Sequence, residues 1–292
     1  MATLKEIRAR IGSVKNTRKI TSAMSRIASA RLARAQNAMM AARPFAERMS
    51  TMVSQIVGEL GDEQGHELLL QRGVERVGVI VVTADRGLCG GFNANATRVA
   101  QDLIEQEKAA GHEVVISCVG RKGAVSLAHA GYEIFDKYPA PDPKTSLEIA
   151  ERVAADAVEA FSFHDEGVEG LRVDRVVIVY NHFINVLTQD VRAVQLLPVP
   201  AEGAEEGLGE RKVEPSMEQL LSHLLPISVE TSVQTAMLNS AAAELAAKRV
   251  AMDAATDNAS ELVDELTLEY NRGRQAAITT ELIEIVSGAQ AV

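Results

Sequence analysis

Apolar residues recur at helical spacing from Leu4 to about Val57. Leu4, Ile7, Ile11 and Val14 stand three or four apart, and Met24, Ile27 and Leu32 resume the stripe. Alanines at 23, 28, 30, 33, 35 and 38 fill much of the remainder. Pro44 has no backbone N–H to donate, which predicts a bend or an interruption there. Some 50 helical residues at ~1.5 Å rise would reach roughly 75 Å, well beyond an ordinary globular helix. The apolar seam is narrow and asks for one slender partner. Glycines at 58, 61, 65 and 73 then mark a break among polar residues, so 1–57 reads as a coiled-coil helix and 58–73 as a linker.

The pattern changes at Arg76. "RVGVIVVT" (76–83) is a short β-branched run of the kind found in buried parallel strands. A helical pattern follows from about Asn95 to Ala110, then "HEVVISCV" (112–119) as a second strand, and a Gly-containing turn into 122–130. "YEIFDKY" (132–138) reads as a short strand, 145–161 as a helix, and "VDRVVIVYNHF" (173–183) and "DVRAVQLLPV" (190–199) as two more strands. Strands alternating with helices predict an open, Rossmann-like α/β sheet over 74–200. Residues 201–215, "AEGAEEGLGERKVEP", read as an acidic Gly-rich loop, and helical periodicity returns over 216–292, with Pro226 as a kink or restart. Leu262, Leu266, Ile278, Leu282 and Ile285 give this last helix a stripe of its own. The terminal helices are the two elements long enough to cover each other's seams. The expected fold is therefore a long antiparallel two-helix coiled coil with an inserted α/β domain.

Composition supports close helix packing: 43 of 292 residues are alanine, aromatics make up 3%, and there is no Trp. The net charge of −10 conceals an asymmetry. Residues 1–50 carry 11 Lys or Arg against Glu6 and Glu47, or +9, which leaves −19 for the rest. The basic arm lacks aromatic stacking groups through residue 44 and any recognised nucleic-acid motif, and its faces are too weakly separated for a membrane surface, which leaves acidic protein loops or a plain solvated face open. No run approaches the ~20 apolar residues that span a bilayer, so membrane association is expected to be indirect. Cys89 and Cys118 are too few for a disulfide scaffold or a four-cysteine zinc site, and each adjoins an apolar run where a buried free thiol is expected.

Candidate chemistry is sparse. "TADRGLCGGFN" (83–93) follows a strand and has glycines that could bare backbone N–H groups to an anion, yet it matches neither G-x-G-x-x-G nor a P-loop. Asp85 and Arg86 could pair with each other or cap the turn. The six histidines show no metal-binding spacing, and no G-x-S-x-G elbow occurs. No catalytic, cofactor-binding or metal site is expected. Arg274, Gln275, Thr279 and Glu281 offer donors and acceptors along two turns of the last helix, and Arg272 and Arg274 could favour a helix end.

Four blocks carry a resemblance: "LKEIRARIGSVKNTRKIT-AM" (4–24, with Ser22 at the gap), "DRGLCGGFN" (85–93), "AMDAATDNA" (251–259) and "LTLEYNRGRQAAITTELIEIVSGA" (266–289). Together, in order and spacing, they closely resemble the gamma subunit of F-type ATP synthase over essentially the whole chain. The resemblance implies a central rotor shaft without a catalytic site of its own, turning inside an alpha3beta3 hexamer and coupled to an epsilon subunit and the c-ring. It implies that Arg274 and Gln275 form a polar catch with a beta-subunit loop, that Thr279 and Glu281 extend it, and that Met24 lies near the same subunit. It also implies that Asp85, Arg86, Glu214 and Pro215 face epsilon and the c-ring. Ser22, where the family often has Lys, and Arg26–Ile27, in place of a methionine–valine pair, alter the charge offered to beta. The cysteine-bearing insertion of the chloroplast form is missing, so thiol control is not expected. Without a leading transit segment, the expected setting is the cytoplasmic face of a bacterial plasma (inner) membrane.

Overall fold

The computed structural model describes residues 3–60, 66–142, 145–162, 172–200 and 216–290. Its elements are α1 (Leu4–Leu60), β1 (Arg76–Val82), α2 (Phe92–Ala109), β2 (Glu113–Val119), α3 (Arg121–His129), β3 (Asp136–Tyr138), α4 (Ser146–Ser162), β4 (Arg175–Phe183), β5 (Gln189–Leu197) and α5 (Met217–Gln290). Pro44 and Pro226 both lie inside unbroken helices. The carbonyls they leave without an N–H partner belong to Met40 and Ser222, which are exposed, so water can satisfy them. The chain forms two compact units, Met1–Ser29 with Lys248–Val292, and Ala30–Ala247.

In the first unit α1 and α5 pack antiparallel. Leu4 approaches Gly273, Thr21 bonds Thr256, and Ser25 bonds Asp253, so partner numbers fall as chain numbers rise. Among the covered positions of α1, 4, 7, 11, 14, 18, 21, 25 and 28 follow alternating steps of three and four. That is the period of a coiled-coil seam. It corrects the expected stripe in one respect: the seam runs through Thr21, Ser25 and Ala28, while Ile27 is 55% exposed and Ile20 60%. The reason is that Thr21 and Ser25 have polar partners across the seam, which keeps the helix in phase at no desolvation cost.

In the second unit a five-stranded sheet has the order β3-β2-β1-β4-β5. All neighbours are parallel except β4 and β5, which form an antiparallel pair. Strand periodicity sorts the side chains. Val77, Val79, Val81, Ile116, Cys118 and Val179 pack with Ala100 and Ile104 of α2 and Leu127 of α3. On the other face Ile80, Val82, Ile178 and Tyr180 pack with Val153 and Phe161 of α4, Val53 and Ile56 of α1, and Leu221, Leu225 and Met237 of α5. The sheet is thus covered by the chain's own terminal helices, which is why their inner ends are its most apolar parts. Leu32 and Ala35 also meet Ala242, Ala243 and Ala246, where alanine lets the helices close together. Within 58–73, Leu68 and Leu69 of a 3-10 turn are buried, and Leu68 accepts a bond from Val199 N. Both cysteines are buried and outside any disulfide, and burial pushes the Cys118 thiol up to about 12 against the pull of Lys137.

His182 on β4 makes the second unit acid-sensitive. Its Nδ1 is buried without a hydrogen-bond partner. Burial foremost, then Arg192 and more weakly Arg43, lower its pKa below the ordinary 6.5, with Asp190 opposing. A depressed pKa means that the unfolded state binds the proton more readily. The stability from neutral His182 is complete above pH ~6.5 and is lost as pH falls through the lower, folded value. His182→Phe should keep the edge-on contact with Tyr180 and flatten the fall in urea midpoint between pH ~7.5 and ~5. His66, also lowered chiefly by burial, should supply a residual slope.

Candidate functional site

The loop after β1 is the place where an α/β fold of this type would hold an anion. Here oxygens of that loop serve the start of α3, and its Ala84 N–H is held by Asn93. At the start of α3, Arg121 N donates to Asp85 Oδ1 (2.9 Å), Lys122 N to Ala84 O (3.0 Å) and Gly123 N to Thr83 Oγ1 (2.9 Å). Asp85 therefore caps a helix and does not pair with Arg86. Asn93 fixes the rest: its Oδ1 accepts from Ala84 N (2.9 Å), and its Nδ2 donates to Arg86 O (3.3 Å) and Cys89 Sγ (3.2 Å). Leu88, at φ 64°, is held in a left-handed turn with its side chain exposed. The loop is built for shape, presenting Arg86 and Leu88 outward. Removing the cap with Asp85→Ala should cost about 1 kcal/mol, read as a lower urea midpoint, while Asp85→Asn keeps most of it.

Asn93 and Thr83 are the site residues that sequence reasoning missed. An Asn nine positions after the N–H it caps has no local signature, and Thr83 reads as the last residue of a strand.

The second candidate region lies in the paired helices of the first unit. Ser25 Oγ donates to Asp253 Oδ1 at 2.5 Å, Thr21 and Thr256 hydroxyls share a bond at 2.7 Å, and Arg249 lies 3.7 Å from Asp253. Beside this polar seam is a groove of about 550 Å³ rimmed by Arg18, Lys19 and Arg26 and floored by Ser22, Thr256 and Ser260. Three cations over hydroxyl groups favour a carboxylate-bearing partner. Met24 is half-buried one turn away. Ser22 leaves room in this groove that a longer side chain would fill.

Arg274, Gln275, Thr279 and Glu281 are all exposed on α5. Arg274 and Glu281, seven positions apart, share one line of the helix, and Gln275 and Thr279 form a second line. The Thr279 hydroxyl donates to Gln275 O at 2.9 Å. At 3.6 residues per turn Thr279 stands roughly 140° round the helix from Arg274, so the four make two separate lines on α5, and Met24 adjoins neither. Met24 lies at the level of residues 253–256, about 27 Å from Arg274 along α5. Helix α5 also runs on past the start of α1, which meets it at Gly273. Beyond that level Ile278, Leu282, Ile283, Ile285 and Val286 are exposed. Of the C-terminal stripe Leu266 is buried, while among the described residues nothing covers Ile278, Leu282 and Ile285. Arg272 and Arg274 lie well inside α5, which continues to Gln290, so a helix-end role does not apply. Glu214 and Pro215 lie outside the described residues. Among those described, no three acidic, His or Cys side chains group to hold a metal, and no helix is long and apolar enough to cross a membrane.

Long antiparallel terminal helices in one unit and a mixed five-stranded α/β sheet in the other define a helix-pair plus α/β class. The ATP synthase family model matches residues 3–292. The ATP synthase gamma chain of Trichlorobacter lovleyi is 41% identical over 295 residues, covering 100% of this chain and 99% of its own. That of Chlorobaculum tepidum is 42% identical over 297 residues, with the same coverage. The chain belongs to the ATP synthase gamma chain family. The fold is shared with a chain of the Euglena gracilis mitochondrial ATP synthase rotor (TM-score 0.65, 18% identity, 94% of this chain and 98% of that one). It is shared too with a chain of the Tetrahymena thermophila central stalk and c-ring (TM-score 0.58, 23% identity, 81% and 99%).

Proposed function

We propose that this chain is the central rotor shaft of an F1Fo ATP synthase. Its paired helices turn inside an alpha3beta3 ring, and its α/β domain connects to epsilon and the c-ring. Ion flow turns the c-ring, and the shaft presents a different face to each beta subunit in turn. Such a shaft is a ligand whose affinity for each catalytic-subunit conformation changes with angle, so rotation shifts the conformational populations. In reverse, hydrolysis turns the shaft and pumps ions.

The observation that carries this reading is the end of α5. It exposes large apolar side chains on a helix that runs on past the level of Leu4, among and beyond the polar residues Arg274, Gln275, Thr279 and Glu281, with nothing among the described residues covering them. Five exposed Ile, Leu and Val residues on one helix end are a surface meant to be covered. Arg8, Arg10, Lys15, Lys19, Arg26, Arg31 and Arg34 are exposed along α1 and give the shaft a positive coat for acidic partner loops. In this reading Arg274 and Gln275 form the catch, Met24 and the groove at Arg18, Lys19 and Arg26 face beta, and Asp85 and Arg86 lie towards epsilon and the c-ring. Glu214 and Pro215 are assigned to that same end by family resemblance. The chain is peripheral, held at the cytoplasmic face of the bacterial inner membrane through Fo.

Co-expression with alpha and beta subunits tests the proposal. The chain should co-purify with the ring and yield an ATPase, whereas the chain alone hydrolyses nothing. Failure to join a ring that accepts a related gamma chain overturns it.

A further inference from the structure

The β1 run "RVGVIVV" is interrupted by one residue without a side chain. Gly78 has the parity of Ile80 and Val82, which face α4, and it pairs with Val115 on β2 and Val176 on β4. A Cβ at Gly78 would stand 3.5 Å from Val176 Cγ2 and 3.7 Å from Val173 Cγ1, which is ordinary contact. Neither crowding nor an unusual φ therefore demands glycine here. Glycine inside a strand costs stability, and it often marks a place where another molecule approaches the sheet closely.

Above Gly78 is a cavity of about 370 Å³ between the sheet and α4. Small-molecule sites commonly span about 300–1,000 Å³. Its floor is apolar, with Ile80, Val115 and Val176 beside the glycine. Its rim is acidic, with Asp136, Asp156 and Glu159 against the single guanidinium of Arg152. Tyr138 OH donates to Asp156 Oδ2 at 2.7 Å, and burial and that bond keep the phenol neutral. Arg152 lies 5.7 Å over the Tyr138 ring and is shared between the ring and the carboxylates. Burial and the neighbouring Asp156 push the Asp136 carboxyl up, with Arg152 opposing, so the rim is short of positive charge.

We infer that this hollow binds a small organic cation, an apolar body carrying one protonated amine. The body replaces water over the floor at Gly78, and the ammonium donates to Asp136 and Asp156. An anion of the same size meets the acidic rim, and a neutral hydrocarbon leaves the carboxylates desolvated.

The test is equilibrium titration of the full chain with phenethylammonium, with phenylacetate as the same frame carrying the opposite charge. The ammonium should bind saturably with Kd of about 1 mM or tighter, and phenylacetate at least about tenfold more weakly. Asp136→Asn, which removes charge and keeps space, and Gly78→Val, which fills the floor and keeps charge, should each weaken binding at least about tenfold. Glu159→Gln, at an exposed rim position, repeats the charge test where Asp136→Asn fails to fold. Equal binding of the two probes, no saturation by the ammonium, or indifference to both the charge and the space variants overturns the assignment.

Discussion

Gly120→Ala should unfold the α/β domain at markedly lower denaturant, with a loss of at least about 3 kcal/mol. Gly120 has φ 94°, a left-handed conformation that an L side chain rarely adopts. A Cβ there would stand 2.2 Å from Thr83 O and 2.6 Å from Thr83 C. Those are backbone atoms at the end of β1, and they cannot move aside: Thr83 N donates to Val119 O at 2.7 Å, and Gly120 N to Tyr138 O at 2.9 Å. Moving Thr83 would also release its hydroxyl from Gly123 N, and with it the start of α3. Gly12→Ala is the contrasting case. Gly12 is exposed in mid-helix with nothing within 4 Å of its missing Cβ, so alanine should stabilise by up to about 1 kcal/mol. Urea midpoints of the two variants should move in opposite directions. A Gly120→Ala midpoint matching the parent would mean that the close approach of β1 and α3 is not obligatory.

The same junction explains what could be read from the chain and what could not. Long helices announce themselves by period, and the β-branched runs at 76–83, 112–119 and 173–183 announce buried strands, because both signals repeat over many residues. Pairing does not repeat in this way. That β1 lies between β2 and β4, and that β5 turns back antiparallel on β4, depends on how crossovers fold over the sheet. Residues 132–138 carry strand-like composition, yet the paired strand is only Asp136–Tyr138, with Phe135 N already donating to Ile116 O of β2. The apolar stripe of α1 departs from the seam at Ile27, because hydrophobicity alone does not mark burial. Thr21 and Ser25 are buried instead, and their partners Thr256 and Asp253 are more than two hundred residues away. The loop at 83–93 shows the same limit, since its glycines were legible but the closing oxygens of Asp85, Thr83 and Asn93 were not.

A polar seam suits a shaft better than a wholly apolar one would. Apolar surfaces slide past one another with little preference, whereas Thr21–Thr256 and Ser25–Asp253 can be satisfied in one register only. If the chain turns as proposed, torque has to pass along the paired helices without slip, and a fixed register prevents slip. The outward face has the opposite requirement. Under the proposed function, contacts there form and break each turn, and exposed Arg, Gln and Thr side chains would make bonds of moderate net strength.

That division of labour makes the largest functional prediction. Arg274→Ala combined with Gln275→Ala should leave folding and assembly intact and lower ion-driven ATP synthesis by about ten- to a hundredfold. The estimate is the ~1.5–3 kcal/mol of one charge-assisted hydrogen bond, with a smaller neutral one beside it. Both side chains are exposed, and the Thr279 bond goes to the main-chain carbonyl of residue 275, which the substitution keeps. Alanine is the better helix former, so α5 should not melt locally. Arg274→Lys separates charge from geometry, because lysine keeps the cation and loses the paired N–H fork. If the catch is a bidentate grip on a carboxylate, the lysine variant should fall between parent and double alanine; if charge alone suffices, it should match the parent. Melting temperature, co-purification with the ring and synthesis in reconstituted vesicles distinguish the outcomes. Full synthesis by a fully assembled double-alanine enzyme would remove Arg274 and Gln275 from the catch and leave the exposed apolar end of α5 as the contact that carries the torque.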